Sequence, residues 1–108
     1  GMYSPIGPTI GALITIGLWS CHGAGQPLLY NGQRVVLTES QSSVMWSLMK
    51  AYPKAASVST LLNRLGSEGG PAVVSVHVCR IRARLRELGI PCPIENQVGR
   101  GYLWVSKE

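Results

Sequence analysis

Residues 80–86 read RIRARLR, four arginines alternating with Ile81, Ala83 and Leu85. Taken alone, strict alternation describes a half-buried β-strand with one charged face. The flanks decide otherwise. Pro71 suits the first position of a helix, where its missing N–H costs nothing. Leu88-Gly89-Ile90-Pro91 is a stop signal, with glycine for a left-handed cap and proline just beyond. Between them Val74, Val78, Ile81, Leu85 and Leu88 recur at spacings of four, three, four and three, the stripe of an amphipathic helix. The alternation covers seven residues and the stripe fifteen, so a helix over 71–88 is predicted. At ~100° per residue, Ile81 and Leu85 turn inward and Arg80 points away from the stripe. Arg82 and Arg86 spread to one flank and Arg84 to the other. The result is a basic sleeve around one buried seam, with little exposed apolar surface expected on it.

Working outward, the segments on either side have different periods. PIENQVGRGYLWV, residues 93–105, reads as a hairpin, with Gly99-Arg100-Gly101 as its turn and Tyr102 to Val105 as the return strand. Upstream, SVSTLLNRLG predicts a short helix capped by Ser57 or Ser59. Its apolar face is Leu61, Leu62 and Leu65, and Gly66 is its C′ residue. GSEGGP is a loop. Before it, Thr38 and Gln41 form a T-x-x-Q capping box. Val44, Met45, Leu48, Met49 and Tyr52 follow at helical spacing, and Pro53 ends that helix. In PLLYNGQRVVL, Asn31-Gly32 is a strong hairpin signal, because a type I′ turn needs φ > 0 at both central positions. Strands are predicted at 28–30 and 33–37, and one more near 12–18. Trp46 and Trp104 are expected in the core and at the base of the hairpin.

The order is strands, three helices, hairpin, an α+β fold in a single domain of 108 residues. Residues 1–37 supply N-terminal antiparallel strands, 38–89 a three-helix core, and 90–108 the hairpin and tail. Hydrophobic residues make up 45% and charged ones only 14%, which excludes a disordered chain. Ten Lys+Arg against five Asp+Glu give +5. The first charged side chain is Arg34, and from Cys79 to Arg86 there are four positive charges and no negative one. The charge is therefore a patch, which suggests a nucleic acid or an acidic surface.

Three cysteines, Cys21, Cys79 and Cys92, show no metal-ligand spacing and are read as free thiols of a cytoplasmic protein. No paired carboxylates, catalytic triad or phosphate loop appear, so neither an enzyme nor a metal or other cofactor is expected. IGALITIGLW is apolar but too short to span a bilayer, and no basic n-region follows Met2. LWSC, residues 18–21, has a weak likeness to a lipoprotein cleavage box. Gly1 before Met2 reads as a tag-cleavage scar.

NGQRVVLTESQ, LLN at 61–63, VSVHVCRIRARL at 74–85 and IENQVGRGY at 94–102 together resemble the winged helix-turn-helix DNA-binding domain of OmpR/PhoB-type response regulators. The resemblance covers roughly residues 26 to 105. It implies that helix 71–88 enters the major groove of double-stranded DNA in transcription regulation. The hairpin 94–105 is then a wing on the adjacent minor groove or backbone. His77, Arg80 and Arg82 match positions that contact DNA, and Tyr102 matches the wing tyrosine. Arg80 is expected to read bases, and His77, Arg82 and Arg84 to contact phosphates. Arg100 in the wing turn replaces a charge common in the family where Val98 stands. A head-to-tail pair on DNA and contact with RNA polymerase are further implied partners. The chain has no room for a phosphoacceptor receiver, so the expectation is either an excised domain or a stand-alone regulator. The competing expectation is a winged-helix protein–protein interaction module that binds no DNA.

Overall fold

The computed structural model describes residues 13–23, 26–65 and 70–105. It is an α+β winged helix. Strands β1 (Ile14–Ile16), β2 (Trp19–Cys21), β3 (Leu28–Tyr30) and β4 (Gln33–Val35) precede helices α1 (Glu39–Ala51), α2 (Val58–Leu65) and α3 (Pro71–Leu88). Strands β5 (Ile94–Gln97) and β6 (Gly101–Trp104) close the chain as a hairpin. The first four strands form one antiparallel sheet in sequential order.

The β3–β4 turn is built as its sequence requires. Asn31 and Gly32 both have positive φ, 52° and 80°, so the strands pair in register with Tyr30 opposite Gln33. The single strand expected near 12–18 is corrected to two. Gly17 takes φ 60° and, with Leu18, turns the chain so that Ile16 faces Trp19. An apolar run carrying one glycine reads as one strand, because the second turn residue is a leucine rather than a turn former. Strand β4 also stops at Val35, two residues short of the expected 37. Position 12 of the expected strand, Gly66 and most of the GSEGGP loop lie outside the described residues.

The helix signals hold. Thr38 Oγ1 accepts from the Gln41 amide at 3.2 Å, and the Gln41 side chain accepts from the Thr38 amide at 3.0 Å, a closed capping box. Ser57, not Ser59, caps α2, accepting from the Thr60 amide at 3.1 Å. Helix α3 runs from Pro71 to Leu88, and the left-handed φ of 72° at Gly89 turns the chain so that the Ile90 amide reaches Leu85 O at 2.9 Å.

Val74, Val78, Ile81 and Leu85 are buried, as the stripe demands. Leu88 is the exception, 42% exposed at the helix end. Helix α1 packs against α2, α3, β1 and β6, and its buried face is Val44, Met45, Leu48 and Met49. The two sheets meet through tryptophans. Trp19 of β2 sets its ring edge-on to Trp104 of β6, centroids 5.4 Å apart, and tilts against Tyr30 at 5.0 Å. Trp46 and Trp104 are both buried, as expected.

Cys21 lies in β2, buried, with Sγ 3.2 Å from Gly23 O. The LWSC stretch is thus built into the sheet. No described helix is long and apolar enough to cross a membrane, and no described group of side chains could hold a metal ion.

Candidate nucleic-acid interface

Helix α3 presents its outer face between the wing and the N-terminal sheet. Counting outward by fours and threes gives Ala72, Val76, Cys79, Ala83 and Arg86, all exposed, with Arg80 exposed beside them. Val76 is 44% exposed. This corrects the expectation of little apolar surface on the helix. The centre of its outer face is small and apolar, and the cations lie along the edges. The sequence carried the signal, since the same count that found the seam finds this second stripe when started from Ala72.

The four arginines differ sharply in what they touch. Arg80 is exposed and makes no hydrogen bond or ion pair among the described residues. Arg82 is half-buried. Its Nη2 donates to Asn96 Oδ1 at 2.8 Å and to Ile94 O at 3.3 Å, tying the helix to β5. Arg84 faces the opposite flank. Its Nε donates to Val36 O at 3.3 Å, and its Nη1 meets Glu87 Oε1 at 3.4 Å. So exposed a pair adds at most about 0.5 kcal/mol. Arg86 is exposed in the last turn, where the negative end of the helix dipole favours a cation. The Arg82 and Arg84 ties join residues 12 and 48 positions apart, so no local pattern foretold them.

His77 is half-buried on the Arg84 flank, and its Nδ1 is enclosed with no hydrogen-bond partner among the described residues. Tyr102 is buried at the base of the wing. Its backbone amide and carbonyl both pair with Ala56, at 3.0 and 2.8 Å. The segment before α2 is thereby joined to the edge of the wing by a single antiparallel bridge. Gly101 makes that pairing sterically feasible, because it has φ 123° and no Cβ, and its backbone sits directly on Ala56. The wing turn, Val98-Gly99-Arg100, is exposed, with Val98 fully so. Its Arg100 amide bonds back to Gln97 O at 2.9 Å. The expected site residues thus fall into two groups. His77, Arg80, Arg82 and Arg84 line the helix, and Arg100 and Tyr102 belong to the wing beside it.

A helix with an exposed outer face, flanked by cations and continued by a two-stranded wing, is the architecture of a winged helix-turn-helix. Residues 32–104 match the family model described as transcriptional regulatory protein, C terminal. The chain belongs to that family, the OmpR/PhoB-type DNA-binding domain, whose role is sequence-specific DNA binding in transcription regulation. Among curated proteins, no sequence matches.

Solved structures share the fold at low identity. The DNA-binding domain of CpxR from E. coli superimposes with a TM-score of 0.73 at 22% identity, covering 91% of this chain and 100% of that one. The Klebsiella pneumoniae RstA DNA-binding domain, in complex with the RstA box, gives 0.70 at 21%, covering 87% and 97%. The Thermotoga maritima response regulator DrrB gives 0.68 at 22%, covering 87% of this chain and 44% of DrrB.

Proposed function

We propose that α3 lies in the major groove with Arg80 reading a base and the Val76–Ala83 strip pressed to the groove floor, while the wing reaches the adjacent minor groove. The observation that carries this is the contrast along α3. Arg80 is exposed and has no partner among the described residues, and Val76, Cys79 and Ala83 on the outer face are too small to hold the helix away from the bases. A free guanidinium donates two parallel hydrogen bonds to guanine O6 and N7. Methyl-bearing side chains such as Val76 and Ala83 complement thymine methyl groups.

His77 contributes a phosphate contact and Arg100 approaches the minor groove from a turn flanked by two glycines. Arg82 has a double duty. It braces β5, and its remaining guanidinium donors face the backbone. Arg84 and Tyr102 act mainly by holding helix and wing in place. The protein works in the cytoplasm without catalysis or cofactor. A second copy bound head to tail on a neighbouring half-site, and RNA polymerase, are the partners that the family suggests.

Arg80→Ala tests base reading. The expected loss is about 1–3 kcal/mol on a preferred duplex and much less on random DNA, because a base contact is specific. Equal loss on both duplexes would remove Arg80 from base reading. No mobility shift by the wild-type domain even at low salt would favour the protein-interaction module instead.

Thiol chemistry gives an independent check. Burial pushes the Cys21 thiol up from its ordinary value, so it stays protonated and shielded, and alkylation there should be slow until the fold opens. Cys79 is exposed and should alkylate readily in the free domain. Saturating duplex DNA should slow Cys79 alkylation at least about tenfold, because the groove encloses that face. An unchanged rate, read by mass spectrometry, would place some other surface against the DNA.

A further inference from the structure

Two clefts flank the wing, and cations from two different elements line them. On the Leu103 face, a cleft of about 540 Å³ is lined by Pro53, Lys54, Ala55, Ser57, Gln97, Arg100 and Leu103. On the Tyr102 face, a cleft of about 370 Å³ runs between the wing turn and the first residues of α2, and Arg100 and Ser57 line it too. No carboxylate lines either cleft among the described residues. Glu95, two positions back along β5, is held by Gln97 Nε2 at 3.4 Å.

The backbone around both cations is fixed. The Lys54 amide donates to Ala51 O at 2.8 Å, and the Arg100 amide closes the wing turn. The Ala56–Tyr102 pairing and the Gly101 contact lock the Lys54 loop against the wing. Two like charges held at one cleft without an acid between them repel, and an anion lodged there relieves that repulsion.

We propose that Lys54 and Arg100 form a phosphate-binding cleft for the duplex backbone on the side of the wing away from α3. The wing then sits astride the minor groove rather than merely against one wall of it. One wall faces the α3 side, and the phosphate of the far wall enters the Lys54 cleft. The footprint of the domain extends beyond α3 and the wing turn onto the α1–α2 loop. This inference rests on the DNA reading above and adds a contact to it. Lys54 is exposed, so its replacement leaves the core untouched.

The test uses a duplex selected from a random pool by the wild-type domain, and Lys54→Ala and Lys54→Arg variants titrated from 50 to 200 mM salt. Lys54→Ala should weaken binding several-fold on selected and random duplexes alike. It should lower the slope of log K against log salt by about 0.9, one phosphate's worth. Lys54→Arg should retain the wild-type slope. Trimming the duplex on the wing side until the far-wall phosphates are gone should bring wild type and Lys54→Ala together.

A wild-type slope for Lys54→Ala on the full duplex overturns the inference. So does a difference that survives trimming, or a loss seen only when a second copy binds, which would assign the cleft to a protein contact. Failure of the wild-type domain to bind or select any duplex is a separate result and overturns the DNA reading itself.

Discussion

Trp19→Ala is expected to lower the unfolding free energy by about 3–5 kcal/mol, the range for truncating a buried large aromatic. Trp19 is 1% exposed and contacts Tyr30 on its own sheet and Trp104 on the wing. Removing it leaves a cavity where the two sheets meet and takes away the edge-to-face partner of Trp104 and the tilted partner of Tyr30. A domain of this size has about 5–15 kcal/mol in all, so the variant should be marginally folded at 37 °C. Urea unfolding followed by far-UV circular dichroism reads the change directly. A loss below about 1 kcal/mol would mean that the sheets are held together elsewhere. Wing order should fall along with stability, because Trp104 is the residue that β6 buries against this contact.

Gly101→Ala is the second large effect. An added Cβ would meet the Ala56 carbonyl oxygen head-on and approach Ser57 Cα at 2.9 Å. A φ of 123° is in itself strained for any residue with a side chain. The obstructing atoms are backbone and cannot rotate aside, so the wing must lift from the α1–α2 loop or the loop must shift. The expected cost is about 3 kcal/mol of stability. A larger proportional loss of DNA affinity should follow, since Arg100 and its cleft move with the strand. Hydrogen exchange at the Tyr102 amide should rise from protected to fast. Wild-type protection of that amide in the variant would show that the pairing tolerates a Cβ, and the proposed lock would fail.

Much of this molecule could be read from local signals. The capping box at Thr38, the Asn31-Gly32 turn, the Pro71 start and the Gly89 stop each depend on residues within a few positions of one another. Each lies where those residues require. The β1–β2 hairpin was not legible, because Gly17-Leu18 carries only half of a turn signature and the burial of Trp19 between two sheets is a long-range fact. The site divides in the same way. Exposure of Arg80 follows from helical geometry alone. That Arg82 braces β5 and Arg84 reaches Val36 depends on where strands distant in sequence come to rest. The Lys54 cleft was hidden for a related reason, since nothing near Lys54 in the chain announces that the wing turn folds back beside it.

The pairing of Ala56 with Tyr102 has one more consequence. A hairpin free at its base would swing, and could find its groove at a range of distances from the recognition helix. Bridged to the loop that leads into α2, and strapped to α3 through Arg82, the hairpin is held at its base like the fixed jaw of a calliper. Inserting or deleting one base pair between the sequence read by α3 and the minor groove met by the wing turns the two sites by about a tenth of a helical turn, which a rigid jaw cannot follow. On the DNA placement proposed above, the domain would gauge spacing as well as read bases.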